Sequence, residues 1–274
     1  MVDVARRLFL TRGAAQEGRT VSVGRVSLAV GRRIARVSEY LLDNTQELAR
    51  LRLQSEVWEP AGQVLLNHFG AGKSRSALDV GCGALGWLRI LSESGWRTTG
   101  VDLDVRMLEA AATLGLDVDL VQDDIFASRL PPHTFDLVHA RFQLAPLGRI
   151  EEQLDVYRRW LKPGGLLVVE EPDSASWRLL PDSPAVDELI QRIRSKFRDH
   201  GGDFDVGRRL PSLLGGCHLE AHVVALPPAH PYLRLPLQFA ASLGLTASKI
   251  AEEDLNSQDH YGLTFTLIQA WREF

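Results

Sequence analysis

The segment Ala77–Leu88, which reads ALDVGCGALGWL, constrains the fold more than any other part of the chain. Leu78 and Val80 have the apolar spacing of a buried strand, and a G-x-G-x-x-G pattern follows them. Because glycine has no side chain, the backbone N–H groups of such a turn can approach a ligand closely. The segment therefore predicts a strand, a ligand-binding turn and a helix that begins near Ala84.

Acidic residues around this turn indicate which ligand it binds. Asp102 ends an apolar strand about twenty residues after the first glycine, where a carboxylate can accept hydrogen bonds from both ribose hydroxyls. Asp104 is better placed to cap the next helix. Asp79 would repel a pyrophosphate beside the turn but suits a cationic ligand. These residues favour S-adenosylmethionine, a sulfonium without phosphate, over a dinucleotide.

The run Asp79–Gly83 resembles motif I of the class I S-adenosylmethionine-dependent methyltransferases. Four further segments resemble that family in order: GVDL with MLEA, VQDDI, FDLVHARF, and LKPGG with LLVVEEPD. The resemblance extends from about Arg50 to the C-terminus. It implies an α/β, Rossmann-like fold with seven strands in the order 3-2-1-4-5-7-6, helices on both faces and a helical cap. It also implies S-adenosyl-L-methionine as the cofactor and S-adenosyl-L-homocysteine as its product.

The same resemblance implies which residues bind the cofactor. Asp124 would accept a hydrogen bond from the adenine amino group, with the N–H of Ile125 towards the ring and Leu103 against its face. Arg50 and Gln54 are four residues apart on one helical face, so either could reach the cofactor carboxylate. The predicted cofactor-binding residues are Asp79, Gly81, Cys82, Gly83, Asp102, Leu103, Asp124, Ile125, Ala140, Arg141, Arg50 and Gln54.

Aromatic residues near the predicted strand ends are candidates for the acceptor pocket, although aromatic residues are more commonly found in cores. They are Trp58, Phe142, Trp177 and Tyr232. His139 is the candidate catalytic base, against the alternative of a structural histidine, and many relatives carry a histidine where this chain has Pro146. The remaining histidines and the two cysteines show no metal-ligand spacing, so we expect no metal.

The amino-acid composition of the chain excludes several classes of function. The net charge of −4 and the isoelectric point near 6.1 argue against a nucleic-acid substrate. Two cysteines, Cys82 and Cys217, are too few for a disulfide framework and favour a reducing cytoplasm. No run approaches the eighteen or so apolar residues of a membrane helix, and no signal peptide is evident. We expect a cytoplasmic monomer or homodimer that acts on a small molecule.

The chain is expected to contain one domain after a leader. Residues 1–36 carry eight arginines and two acids, and alternating valines around Gly24 suggest a short hairpin in a solvated leader that orders in part. The methyltransferase domain would span residues 37–274, beginning with helices over 38–69 that break at Pro60. Cap insertions are expected at about 173–216 and 227–260. Strands are predicted near 77–80, 97–101, 118–122, 135–141, 165–170, 219–226 and 263–270.

Methyl transfer to a small organic acceptor, a natural-product or quinone-like metabolite of secondary metabolism, is the leading interpretation. One alternative is a cyclase or pericyclase that uses the bound sulfonium electrostatically without methyl transfer. Others are an NAD-type oxidoreductase, which Asp79 disfavours, and a non-catalytic binding module. Product mass separates the first alternative from methyl transfer, and cofactor binding tests the last.

Overall fold

The computed structural model describes residues 26–27, 44–83 and 86–274, and an eight-stranded sheet forms its centre. The strand order across the sheet is β1-β4-β3-β2-β5-β6-β8-β7. The strands are β1 (Val26–Ser27), β2 (Ser76–Val80), β3 (Arg97–Asp102), β4 (Val118–Gln122), β5 (Phe135–Arg141), β6 (Leu161–Leu180), β7 (His218–Leu226) and β8 (Gly262–Glu273).

The sheet confirms the predicted topology. With β2 counted as the first strand, β2 to β8 lie in the order 3-2-1-4-5-7-6. Strands β2 to β6 pair in parallel, whereas β8 is antiparallel to both β6 and β7. The pair Val26–Ser27 adds an eighth strand parallel to β4. The other residues of the predicted leader and hairpin lie outside the described ranges.

Helices flank the sheet, and several begin at side-chain caps. Asp104 accepts the Arg106 N–H at 3.0 Å, as the sequence predicts for the start of α3. Ser183 and Ser248 cap α6 and α9 in the same way. The helices are α1 (Asn44–Phe69), α2 (Trp87–Glu93), α3 (Val105–Ala112), α4 (Leu144–Leu147), α5 (Ile150–Trp160), α6 (Pro184–Asp199), α7 (Leu210–Leu214), α8 (Leu235–Ser242) and α9 (Lys249–Leu255).

Two predicted helix boundaries are wrong. The first helix continues through Pro60, because the loss of one backbone donor is offset by the burial of Trp58 and Leu65 on either side. The second helix begins at Trp87 instead of Ala84. Gly86 has φ 89°, which a right-handed helix cannot contain, so the helix starts only after it.

Strand β6 is longer than predicted. The sequence suggested an end at Glu170, but the strand continues to Leu180 because its second half pairs with β8, where Leu179 is opposite Leu263. The first cap insertion therefore begins after this strand and not at residue 173. The predicted helix over 207–215 is a 3-10 turn, Val206–Arg209, followed by α7.

The cap packs through an apolar core of its own on the second half of β6 and on β8. Ile193 of α6 is fully buried in this core with residues of α8, α9 and both strands. No helix of the described ranges is long and apolar enough to cross a membrane. The cap is thus fixed to the sheet by hydrophobic burial, at the edge where the central parallel strands end.

Removal of side-chain volume at Ile193 tests this packing. We expect Ile193→Ala to lower the free energy of unfolding by about 2–5 kcal/mol, because a buried cavity replaces the lost methyl groups. Ile250→Ala is the matched control, since Ile250 is 62% exposed, and it should change stability by less than about 0.5 kcal/mol. Urea denaturation measures both, and equal effects would contradict the assigned core.

Candidate active site

A cavity of about 560 Å³ lies at the carboxyl ends of the central parallel strands, beneath the cap. In an open parallel sheet this edge is where ligands bind. Every residue predicted to bind cofactor or acceptor, except Ala140, lines this cavity, and so does His139. The structure therefore brings together residues that are far apart in the sequence, from Arg50 in α1 to Tyr232 before α8.

Ala140 is a correction to the predicted site. Its neighbours His139 and Arg141 line the cavity, whereas the Ala140 side chain is fully buried in the core with Val80 and Val101. Successive side chains of a strand point to opposite faces of the sheet. Because His139 and Arg141 both face the cavity, the side chain of Ala140 between them faces the opposite side of the sheet.

The glycine turn after β2 offers backbone to the cavity. Gly81 and Gly83 have φ of 60° and 56°, which favour glycine. A Cβ at Gly81 would lie 2.1 Å from the side chain of Gln143, so the turn has no room for one.

Cys82 lies between the two glycines and is buried. Its burial, and to a smaller extent the charge of Asp102, raises the pKa of its thiol well above 9.0. The cysteine is a packing residue and not a nucleophile.

Asp102 fixes the turn from the end of β3. Its two carboxylate oxygens accept the N–H groups of Gly83 and Asp104, each at 2.9 Å. Burial raises the pKa of Asp102 to about 6, and these two hydrogen bonds oppose the shift. Above that pH the side chain is an anion that lines the cavity, and each oxygen retains acceptor capacity for a ligand hydroxyl.

Asp123 and Asp124 shape the far end of the cavity. The Asp124 carboxylate accepts the N–H of Phe126 at 3.0 Å and caps the 3-10 turn Ile125–Ala127. Asp123 accepts the hydroxyl of Ser128 at 2.6 Å, which anchors the same loop. The acid at position 123 therefore holds this loop in place.

His139 lies in a buried ion-pair network. Its Nδ1 is 2.7 Å from an Asp79 oxygen and its Nε2 is 3.2 Å from a Glu170 oxygen, and the side chain is 1% exposed. Burial lowers the pKa of His139, but the bonds to the two carboxylates outweigh it and the net shift is upward. The ring also stacks on Trp87 at 3.9 Å between centroids, and the Trp87 indole donates to Glu170 at 2.6 Å.

This arrangement favours the structural role that the sequence analysis gave as the alternative to a catalytic base at His139. An imidazolium whose two N–H groups are both donated to carboxylates has no lone pair to accept a proton. Both ring nitrogens of His139 are instead within hydrogen-bond distance of carboxylates inside the protein, those of Asp79 and Glu170. Burial raises the pKa of Glu170, but His139 and then Arg141 outweigh it, so that the pKa is lowered overall and the acid stays ionised.

Two arginines approach the same part of the cavity. Arg141 lies 3.7 Å from Glu170 through Nη1, and this buried nitrogen has no hydrogen-bond partner. Its Nη2 lies beside Gly86, where a Cβ would come within 2.5 Å. Arg50 donates to Gln54 at 2.9 Å, and its guanidinium lies 5.5 Å from the ring centroid of Phe239. Arg141 thus faces the glycine turn, whereas Arg50 contacts the cap.

Aromatic side chains close the cavity on the cap side, and we call them the aromatic wall. Trp58 and Tyr232 lie 5.0 and 5.2 Å from Phe265 between ring centroids, and Trp177 lies 5.2 Å from Phe204. The wall includes all four predicted acceptor-pocket residues and three that the sequence analysis missed. It consists of Trp58, Phe142, Trp177, Phe204, Tyr232, Phe239 and Phe265.

Sequence comparison places a known domain on these elements. Residues 77–165 match the family model described as a methyltransferase domain, which covers the glycine turn, Asp102, the loop at Asp124 and β5. By this match, residues 77–165 of the chain form a methyltransferase domain. The cavity is therefore located where the methyltransferase motifs of this chain converge.

Curated methyltransferases are similar to part of the chain. A malonyl-[acyl-carrier protein] O-methyltransferase of Enterobacter lignolyticus is 26% identical over 145 residues, which is 50% of this chain and 58% of the relative. A demethylmenaquinone methyltransferase of Staphylococcus epidermidis is 32% identical over 124 residues, 43% of this chain and 50% of the relative. The chain thus spans about half the length of these curated relatives.

A solved methyltransferase shares the fold. Phosphoethanolamine N-methyltransferase 2 of Haemonchus contortus, in complex with S-adenosyl-L-methionine, superposes with a TM-score of 0.52 at 19% identity. The match covers 86% of this chain and 60% of that one. Similarity at this level establishes the methyltransferase fold and leaves the acceptor to be inferred from the site.

A second buried acid organises the loop after β5 of the methyltransferase domain. Glu171, fully buried, accepts the backbone N–H groups of Gln143 and Leu144 at 2.9 and 2.7 Å. Burial raises its pKa to about 8, although these bonds favour the carboxylate. Two consecutive acids in the apolar run LLVVEEP were a visible signal for both Glu170 and Glu171.

The raised pKa of Glu171 predicts a pH-dependent stability. A group whose pKa is higher in the folded state contributes stability below its unfolded value of 4.5, and loses it as the pH rises through about 8. Relative to Glu171→Gln, the wild-type free energy of unfolding should fall over this range by up to roughly 1.4 kcal/mol per pH unit. Urea denaturation at several pH values measures the difference. The exposed-site control Glu188→Gln should give no slope, and a flat difference for Glu171→Gln would refute the assignment.

Proposed function

We propose that the protein binds S-adenosylmethionine and transfers its methyl group to a small organic acceptor, a natural-product or quinone-like metabolite. The observation that carries the proposal is that one cavity joins the glycine turn and Asp102 to the aromatic wall. A cofactor and an apolar acceptor can therefore meet in a single space at the strand ends. The methyltransferase domain over residues 77–165 supports it.

The described residues fit the chemical groups of this cofactor. We assign the ribose to Asp102 and the adenine to the end lined by Leu103, Asp124 and Ile125. The cofactor carboxylate is assigned to Arg141, because its buried Nη1 lacks a hydrogen-bond partner and its Nη2 borders the glycine turn. The Asp79 carboxylate, which bonds to His139, favours the cationic ammonium over a phosphate at this turn.

Catalysis in this site would depend on orientation and on exclusion of water. The bound sulfonium supplies an electrophilic methyl group with a neutral thioether as leaving group. The aromatic wall would hold the acceptor against it and keep water away, which can account for a large part of the acceleration. A relative named as a demethylmenaquinone methyltransferase supports a quinone-like acceptor.

A single substitution tests the cofactor assignment. Asp102→Asn should weaken S-adenosylhomocysteine binding by about 1–3 kcal/mol, because charge-assisted hydrogen bonds to the ribose are lost. Wild-type affinity should also decline as the pH falls through about 6, where Asp102 takes up a proton, and the affinity of the variant should not. Isothermal titration calorimetry measures both.

The control for this experiment is Asp119→Asn, because Asp119 is an exposed carboxylate on the neighbouring strand β4. It should bind the ligand as the wild type does. If a folded Asp102→Asn variant keeps full affinity, the ribose does not lie at Asp102. If the wild-type protein binds neither S-adenosylmethionine nor S-adenosylhomocysteine, the proposed function itself is wrong.

Mass spectrometry of products separates methyl transfer from the cyclisation alternative. Methyl transfer adds the mass of one CH₂ group to the acceptor and releases S-adenosylhomocysteine. A product without added mass, formed while S-adenosylmethionine is retained, would contradict methyl transfer.

A further inference from the structure

The acceptor side of the cavity combines an apolar surface with hydrogen-bond donors. Trp58 is 2% exposed, and its buried indole Nε1 lies beside the Tyr232 phenol without a hydrogen bond of good geometry. Arg50 lies over Phe239 of the same aromatic wall. A buried donor that faces a ligand cavity is costly unless the ligand supplies an acceptor. The wall therefore favours a ligand whose polar group accepts hydrogen bonds.

The charges around the aromatic wall favour a negatively charged ligand. Burial raises the pKa of Tyr232 to about 12, but the cations Arg50 and Arg141 and the nearby Trp58 indole all favour the ionised phenol. The phenol thus lies where the surrounding charges are positive, yet it remains protonated and is itself a donor. A ligand oxyanion beside Tyr232 would meet the phenol itself and the Arg50 and Trp58 donors of α1.

The titratable side chains that line the cavity already make polar contacts within the protein. Asp79 and His139 bond to each other, Asp102 and Asp124 accept backbone N–H groups, and Asp123 accepts the hydroxyl of Ser128. His200 is exposed at the end of α6, with Nδ1 2.7 Å from the Lys196 carbonyl oxygen. A neutral hydroxyl acceptor would have to lose a proton during methyl transfer, whereas an ionised acceptor would not.

We propose that the acceptor is an apolar, ring-containing acid that binds as an oxyanion, a carboxylate or an ionised phenol or enol, held by Arg50, Trp58 and Tyr232. This inference rests on the proposed function and specifies its substrate class. The oxyanion donates an electron pair to the methyl carbon, and the carbon–sulfur bond breaks with its pair going to sulfur. No proton has to leave, so the site needs no general base.

Binding of ring probes to the full chain saturated with S-adenosylhomocysteine tests the proposal. Naphthoate is compared by calorimetry with naphthamide, which is neutral and of similar shape, and naphthol is titrated across its own pKa. We expect naphthoate to bind at least about tenfold tighter than naphthamide, or naphthol to bind tighter once ionised. The first result indicates a carboxylate acceptor and the second an ionised phenol or enol.

Substitution of Arg50 locates the anion. Arg50→Gln should remove the preference for the ionised probe, and Arg50→Lys, which retains the charge, should keep part of it. Arg52→Gln is the matched control, because Arg52 is exposed on the same helix and does not line the cavity. It should bind all probes as the wild type does.

The proposal is overturned if neither ionised probe binds more tightly than its neutral counterpart, or if Arg50→Gln keeps the full preference. Equal binding of neutral and ionised probes would instead point to a neutral acceptor and a base such as His200. A protein that does not bind S-adenosylhomocysteine at all contradicts the proposed function, and the two failures are therefore distinguishable.

Discussion

Buried polar side chains join four neighbouring strands of the sheet beneath the cavity, where water does not reach them. His139 of β5 bonds to Asp79 of β2 and to Glu170 of β6, and Gln269 of β8 also donates to Glu170. Removing charged groups from water costs several kcal/mol for each ion, and removing one partner leaves the others uncompensated. The floor of the site thus depends on the protonated state of His139.

This network determines what the neighbouring residues can do. His139 bonds to both buried acids, and Arg141, which lies 3.7 Å from Glu170, presents an Nη1 that makes no hydrogen bond. The cap contributes an aromatic wall on the opposite side. Such a site can bind and orient two molecules, and its reactivity would come from the bound sulfonium and the ionisation of the acceptor.

The sequence predicted the features that depend on nearby residues better than those that depend on residues far apart in the chain. Local patterns with fixed spacing, such as the glycine turn and Asp102, located the strands and the cavity edge. Contacts between residues distant in the sequence were not predicted, because no local pattern indicates them. Two examples are the hydrogen bond from the Trp87 indole to Glu170, 83 residues away, and the extension of β6 by its pairing with β8. The family resemblance implied Ala140 as a cofactor-binding residue, and strand alternation directs its side chain into the core.

The protonation state of His139 is the most direct test of this account, and nitrogen-15 chemical shifts of its ring report it. The account predicts that both ring nitrogens carry protons at neutral pH, with a titration midpoint above the ordinary value of about 6.5. Such a result would show that the imidazolium bridges Asp79 and Glu170. A neutral ring with one unprotonated nitrogen at neutral pH, or a midpoint below that value, would contradict the account and restore His139 as a candidate base.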